Sequence, residues 1–137
     1  MIRTFLDAGV LIAAFRSRND ASTPALTVLD DPERVFVTTD YVRLEVLPKP
    51  LYFRRETEAA FYEAFFAAAE FVEVSPALVL EAFEDARQAG LAAMDALHVA
   101  AAKRAGVAEF ITVEHPTKPV FRVAGLRVRM LESLGEV

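Results

Sequence analysis

The sequence contains no cysteine and carries no excess of positive charge. The absence of cysteine excludes disulfides, thiolate metal sites and a cysteine nucleophile. Lysine and arginine together number 15, against 20 aspartates and glutamates, which gives a formal net charge of −5 at pH 7. This balance argues against a broad basic surface for nucleic acid, although a local cationic patch stays open.

Long hydrophobic runs and targeting features are also missing. No apolar stretch approaches the roughly 20 residues that a membrane-spanning helix needs. The first apolar run is preceded by one basic residue, Arg3, and interrupted by Asp7, unlike a signal peptide. At 54% hydrophobic residues, the chain is too apolar to be disordered. We therefore expect a single cytoplasmic domain over residues 1–137, with no membrane partner.

Short apolar strands alternate with helical segments along the chain. Strands are predicted from β-branched and aromatic residues at 2–6, 35–38, 71–74, 109–112 and 126–130. Helices are predicted at 8–15, 24–29, 41–47, 55–70, 76–89 and 93–105. Pro48 and Pro50 are expected to end the helix over 41–47. This alternation predicts an α/β domain with a mostly parallel sheet.

Asp7 is the only polar side chain between residues 5 and 15. A carboxylate buried in such a run without a partner is costly. One interpretation is that Asp7 caps the helix that follows it. The other is that it belongs to a ligand site, because α/β folds bind ligands at the carboxyl ends of their parallel strands.

Asp95 and His98 are the only polar side chains between residues 90 and 102. The helix around them is apolar on nearly all sides, which indicates burial. Asp95 would be favoured in the first turn by the helix dipole, with His98 one turn later as its hydrogen-bond partner. Alternatively, Asp95 belongs to a ligand site, with His98 as a supporting residue that orients it.

Considered without the rest of the sequence, Glu45 and Glu114 would each be interpreted as a solvent-exposed acid. Each lies on or just after an element that follows a strand, as Asp7 does, so all three can reach one edge of the sheet. Carboxylates that converge repel one another, and a hard divalent cation such as Mg²⁺ relieves that repulsion. Such a cation can activate water for displacement at phosphorus. The sequence contains no GxSxG, P-loop or GxGxxG motif that would indicate other chemistry.

Four segments, in this order, resemble the PIN domain, a family of metal-dependent ribonucleases that includes VapC-type toxins. They are FLDAGVLI at 5–12, TTDYVRLEVL at 38–47, MDALHVAAAKRAG at 94–106 and EFITVE at 109–114. The most specific is MDALH with its small-residue helix, followed by a short strand and an acid. The resemblance covers nearly the whole chain.

The resemblance implies a three-layer α/β/α sandwich around a parallel sheet, an acidic pocket for Mg²⁺ or Mn²⁺, and RNA cleavage by activated water. It assigns both metal binding and catalysis to Asp7, Glu45, Asp95 and Glu114. Thr112 matches a hydroxyl residue that precedes the last acid by two positions and supports it by hydrogen bonding.

Three positions depart from the family's usual pattern. Ala8 and Gly9 stand where a hydroxyl residue and a small polar residue are frequent, and Glu114 stands where aspartate is common. Glutamate is one methylene longer, so this ligand would be repositioned or bridged by water. The departures keep a second function open, namely a PIN-like module that binds RNA or protein without cleaving it.

Two kinds of partner are expected besides the metal. The RNA would present an unpaired, accessible phosphate. A VapC-type toxin would be held inactive by a small antitoxin protein, and the resemblance also implies a homodimer. Candidate phosphate contacts, each of which would otherwise be a solvated surface charge, are Arg16, Arg18, Arg43, Lys49, Arg54 and Arg55.

The stretch over residues 53–71 is unusually rich in aromatic residues. It contains Phe61, Tyr62, Phe65 and Phe66, more large apolar groups than one helix face needs. These side chains are expected either to pack in the core or to form a surface for a second copy or a protein partner.

Overall fold

A computed structural model describes residues 1–135 and has a five-stranded sheet at its centre. The strands pair in parallel, in the order β3-β2-β1-β4-β5. They are β1 (Ile2–Leu6), β2 (Arg34–Thr38), β3 (Glu70–Phe71), β4 (Glu109–Thr112) and β5 (Val128–Met130). The predicted parallel sheet is confirmed.

Helices connect the strands and cover the sheet. They are α1 (Ala8–Arg16), α2 (Pro24–Leu29), α3 (Asp40–Val46), α4 (Pro48–Tyr52), α5 (Glu56–Ala68), α6 (Pro76–Ala89) and α7 (Ala93–Ala105), with 3-10 helices at Pro119–Arg122 and Leu131–Gly135. Thr39 caps α3 by accepting two backbone N–H bonds, and Ser75 caps α6. Among the described residues, no helix combines the length and apolarity required to cross a bilayer.

The helices lie on both faces of the sheet. The ring of Phe5 lies 5.9 Å from that of His98 on α7, and Phe36 lies 5.6 Å from Phe65 on α5. Phe36 is in register with Thr4, the neighbour of Phe5. Because successive strand residues point to opposite faces, α5 and α7 must cover opposite sides. This confirms the predicted α/β/α sandwich.

The order of the strands creates a crevice at the carboxyl ends of β1 and β4. From β1 the chain moves to β2 and then β3 on one side, and later returns to β4 on the other side of β1. The connections that leave β1 and β4 therefore diverge. In parallel α/β sheets, this reversal of direction is where ligands bind.

Most predicted boundaries agree with the structure to within two residues; the helix over 55–70 is α5 (Glu56–Ala68) and the strand over 126–130 is β5 (Val128–Met130). Two segments differ more. Pro48 does not simply end the preceding helix but begins α4, because a proline at the first helical position gives up an N–H that has no helical partner anyway. The strand predicted at 71–74 is shorter, since Phe71 pairs with Thr38, the last residue of β2. One further bond follows, from the N–H of Val72 to the carbonyl of Thr38 at 2.9 Å, where β2 ends.

The aromatic residues of α5 belong to the core and not to a docking surface. Tyr62, Phe65 and Phe66 are at most 9% exposed, and Phe61 packs edge-on against Phe15 of α1. The alternative of a partner surface made by these four side chains was therefore wrong, because α5 lies over β2 and against α1.

Candidate active site

Asp7 joins the ends of β1 and β4. Its backbone N–H donates to the carbonyl of Ile111 at 3.0 Å, which extends the β1–β4 contact by one residue. Its carboxylate accepts from the N–H of Ala8 at 2.7 Å and from the hydroxyl of Thr112 at 3.0 Å. Asp7 therefore caps α1 and also lies in the crevice, so the two interpretations of this residue are compatible.

Thr112 connects Asp7 to the segment that carries Glu114. Its hydroxyl is fully buried, donates to Asp7 Oδ2 and accepts from the backbone N–H of Glu114 at 3.1 Å. One hydroxyl thus fixes both the orientation of the Asp7 carboxylate and the path of the chain beyond β4.

Glu45 is paired with His98. The side chain of Glu45 projects from α3, and its Oε1 makes a short contact with His98 Nε2. A carboxylate can only accept, so Nε2 carries the proton and donates it. His98 was predicted to bond Asp95, but its ring is 1% exposed and lies beside Phe5, from where it reaches α3. Its Nδ1 has no hydrogen-bond partner among the described residues.

Burial is the main reason that the pKa of Asp7 is raised above its usual range. The negative charge of Glu45 raises it further. The charge of His98, the hydroxyl of Thr112 and the N–H of Ala8 oppose the shift without reversing it. Asp7 therefore binds a proton more readily than an exposed aspartate does.

The pKa of Asp95 is also raised, and all three of the other predicted acids contribute to the shift. Burial is the main reason that the pKa of Asp95 is raised, and the charge of Asp7 is the next. The charge of His98 opposes the shift, while Glu114 and Glu45 add smaller contributions to it. Asp95 lies in the first turn of α7. The structure thus places Asp95 within electrostatic range of the other three predicted carboxylates.

The donor chemistry of these residues fits a hard cation, although they do not form a ready-made cage. Within residues 1–135, no group of three aspartate, glutamate or histidine side chains is placed to hold a metal ion. Glu45 is turned to His98 and Asp7 to Thr112. Mg²⁺ commonly takes one or two carboxylates and keeps several waters, so these oxygen ligands suit an ion bound partly through water.

The six candidate phosphate contacts are all exposed. Within the described part of the chain, none of them forms an ion pair with the four carboxylates. Arg43 lies 3.8 Å from Asp40, and Arg55 lies 3.9 Å from Glu58. Arg18 lies over the ring of Phe15 at 4.0 Å. Their proposed role in binding phosphate stays a prediction.

The departure at Gly9 has a steric cause. A Cβ added to Gly9 would lie 2.7 Å from Cγ2 of Val113, which is closer than a real Cβ tolerates. Val113 stands between Thr112 and Glu114, so the absence of a side chain at position 9 lets the chain beyond β4 lie against the first turn of α1.

We expect Gly9→Ala to destabilise the protein by about 1 kcal/mol or more, because the added methyl overpacks against Val113. In an open helical position the same change would stabilise by up to about 1 kcal/mol. Denaturant unfolding of the single and double variants tests this. In a Val113→Ala background, Gly9→Ala should become neutral or stabilising. An equal loss in both backgrounds would contradict the steric explanation.

Comparisons with known proteins agree with this architecture. The sequence model of the PIN domain matches residues 4–115. The fold is similar to VapBC2 from Rickettsia felis bound to a DNA fragment from its promoter, with 14% identity, a TM-score of 0.73, and coverage of 94% of this chain and 98% of that chain. It is also similar to a toxin–antitoxin complex from Klebsiella pneumoniae (18% identity, TM-score 0.69, coverage 93% and 97%).

A third similar structure is VapBC-1 from nontypeable Haemophilus influenzae, with 16% identity, a TM-score of 0.69, and coverage of 95% of this chain and 98% of that chain. At these identities the structural similarity shows the fold alone. A comparison with curated proteins found no significant match.

Proposed function

Because this chain belongs to the PIN domain family, we propose that it is a metal-dependent endoribonuclease that cleaves RNA phosphodiester bonds with an activated water. The observation that carries the proposal is that Asp95 lies within electrostatic range of Asp7, Glu45 and Glu114, beside the point where the strand order reverses. A site that raises the pKa of two carboxyls by burial and like charge gains the most from a bound cation.

Each residue has a distinct role in this proposal. Asp7 and Asp95 would hold Mg²⁺ or Mn²⁺, directly or through water, and Glu45 would complete the ligand set. The bound ion would supply Lewis acidity and lower the pKa of a bound water, which makes that water easier to activate for attack. Glu114 would orient the attacking water or hold a second ion.

Two supporting side chains keep these acids in place. Thr112 fixes Asp7 Oδ2 by a hydrogen bond of 3.0 Å. His98 holds Glu45 through Nε2, and because the histidine is buried on α7 it ties α3 to the helix that carries Asp95. Both contacts limit the rotation of a carboxylate before any substrate binds.

We expect an unstructured RNA to be cleaved in Mn²⁺ or Mg²⁺, to survive in EDTA, and to be cleaved again when excess Mn²⁺ is restored. Titration calorimetry with Mn²⁺ alone should detect binding before RNA is added. Metal binding without cleavage of mixed RNAs would contradict the nuclease proposal. The absence of both would favour the alternative of a PIN-like binding module.

The similar solved structures support a second layer of the proposal, in which the chain is the toxin of a toxin–antitoxin pair. Exposed apolar side chains on α3 and α4 give a small antitoxin protein or a second copy a surface to cover; they include Leu44 and Leu51. Expression of the chain alone should arrest the growth of a bacterial host. Unaffected growth with active enzyme would contradict the toxin role.

A further inference from the structure

The last residue of α4 and the turn that joins it to α5, together called the turn over residues 52–55, present two aromatic rings to solvent. Tyr52 is 80% exposed and Phe53 is 56% exposed. Their rings lie 4.9 Å apart and nearly perpendicular, at 87°. Most phenylalanine and tyrosine side chains of this protein are buried in the core or packed against it, so this exposed pair is not explained by folding.

The conformation of this turn is well defined. Arg54 has φ of 53°, in the left-handed region where glycine is usual after a helix. The N–H of Arg55 donates to the carbonyl of Pro50 at 2.8 Å, and the N–H of Phe53 donates to the carbonyl of Lys49 at 2.9 Å. An arginine at this strained position carries a long cationic side chain where glycine would carry none.

One cationic side chain lies over a ring of this pair, and two more are close in sequence. The guanidinium carbon of Arg55 lies 5.2 Å from the centroid of the Phe53 ring. Lys49 and Arg54 are also exposed, and residues 49–56 contain a single carboxylate, that of Glu56. This segment is therefore basic within a chain of net charge −5.

Rings flanked by arginines form a recurring type of surface for unpaired RNA. Bases that are splayed out stack on aromatic faces, while guanidinium groups contact the backbone phosphates. An apolar protein partner would gain from the rings but would have to desolvate Lys49, Arg54 and Arg55. A single-stranded nucleic acid can stack its bases on the rings and place its phosphates against the cationic side chains.

We infer that the turn over residues 52–55 is a base-stacking subsite for single-stranded RNA, with Tyr52 and Phe53 as the stacking residues and Lys49, Arg54 and Arg55 as phosphate contacts. The inference rests on the proposed function, because it names how the RNA substrate is held. It adds two residues to which the acidic site assigns no role. The turn follows directly after α3 and α4, and α3 carries Glu45.

The test measures binding of a labelled single-stranded RNA of about 12 nucleotides, within the range of known single-strand site sizes, by fluorescence anisotropy in EDTA. Tyr52→Ala and Phe53→Ala should each weaken binding by roughly tenfold. Phe83→Ala is the matched control, because Phe83 is 65% exposed on α6, next to Glu84 in sequence. This control should bind RNA like the unchanged protein.

A conservative variant separates stacking from a structural role. Tyr52→Trp keeps a stacking face and, because the sequence contains no tryptophan, introduces a single tryptophan fluorophore. We expect it to retain RNA affinity and to lose fluorescence when the RNA is added. Retained affinity without any fluorescence change would contradict stacking at this position.

The outcomes distinguish this inference from the proposed function. If the protein binds RNA through Tyr52 and Phe53 but cleaves none in Mn²⁺, the nuclease proposal fails and the subsite stands. If the protein cleaves RNA and both alanine variants bind and cleave normally, the subsite is wrong. It is equally wrong if these variants lose only a bound protein partner while their RNA affinity is unchanged.

Discussion

Asp95→Asn is expected to lower metal-dependent RNA cleavage by at least about 100-fold. The substitution keeps the size of the side chain but removes its negative charge, and so weakens a proposed ligand of the cation. Mutations of residues that only support metal ligands already cost about 10- to 100-fold in affinity or activity, so loss of a ligand should cost no less. The measurement is the rate of cleavage of an unstructured RNA at saturating Mn²⁺.

The same variant should keep its fold. Burial and the charge of Asp7 raise the pKa of Asp95, which means that the ionised form is unfavourable in the folded protein without metal. Asp95→Asn should therefore unfold in EDTA at the same temperature as the unchanged protein or higher. Asp30→Asn, at the exposed end of α2, is the control and should cleave normally. Full activity of Asp95→Asn would exclude the proposed site.

The edge of the sheet at which the acids meet could be predicted from sequence because it depends on local patterns. Asp7 and Thr112 each follow or end a short apolar strand, and parallel strands place their carboxyl ends together. Asp95 was conspicuous because it interrupts an apolar helix. In each case a polar residue in an apolar run carried the signal.

Contacts between distant segments could not be predicted in this way. Glu45 and His98 are 53 residues apart in sequence, and their pairing depends on how α3 and α7 pack. Sequence periodicity also could not separate the buried rings of α5 from the exposed rings of the turn before it. Phe65 is buried because other elements pack against it, whereas Phe53 is left exposed to solvent. Such differences arise from tertiary packing.

Glu109 is a further residue that sequence reasoning passed over, because it opens a short strand where an acid is unremarkable. In the structure it is 2% exposed and lies at the end of the sheet opposite the acidic crevice. Its carboxylate accepts from Thr4 at 2.7 Å, from Arg34 at 2.8 Å and from Arg129 at 2.8 Å. It thereby links four strands, β1, β2, β4 and β5.

We expect Glu109→Ala to destabilise the protein by about 3 kcal/mol, because Arg34, Arg129 and the buried hydroxyl of Thr4 all lose their shared acceptor. For a domain of this size, that corresponds to a fall of roughly 10 °C or more in Tm. Glu84→Ala is the control, since Glu84 also pairs with an arginine at 2.8 Å but on the surface. It should change stability by less than about 1 kcal/mol. Equal effects in a thermal melt would contradict a special role for Glu109.

The loss of stability on substitution of Glu109 should depend on pH, and this dependence should show that the ionised carboxylate is responsible. Burial alone would raise the pKa of Glu109, but hydrogen bonds from Arg34, Thr4 and Arg129 outweigh burial and lower it. A carboxyl whose pKa is lower in the folded than in the unfolded protein stabilises the fold above its unfolded pKa, near 4.3, and loses that contribution as the pH falls through the folded value. The gap in Tm between the unchanged protein and Glu109→Gln should therefore narrow from about pH 6 to about pH 3. Subtracting the two melting curves cancels the opposite contributions of Asp7 and Asp95, whose raised pKa values both proteins share. A gap that stays constant over this range would mean that the shape of the side chain, and not its charge, holds the four strands together.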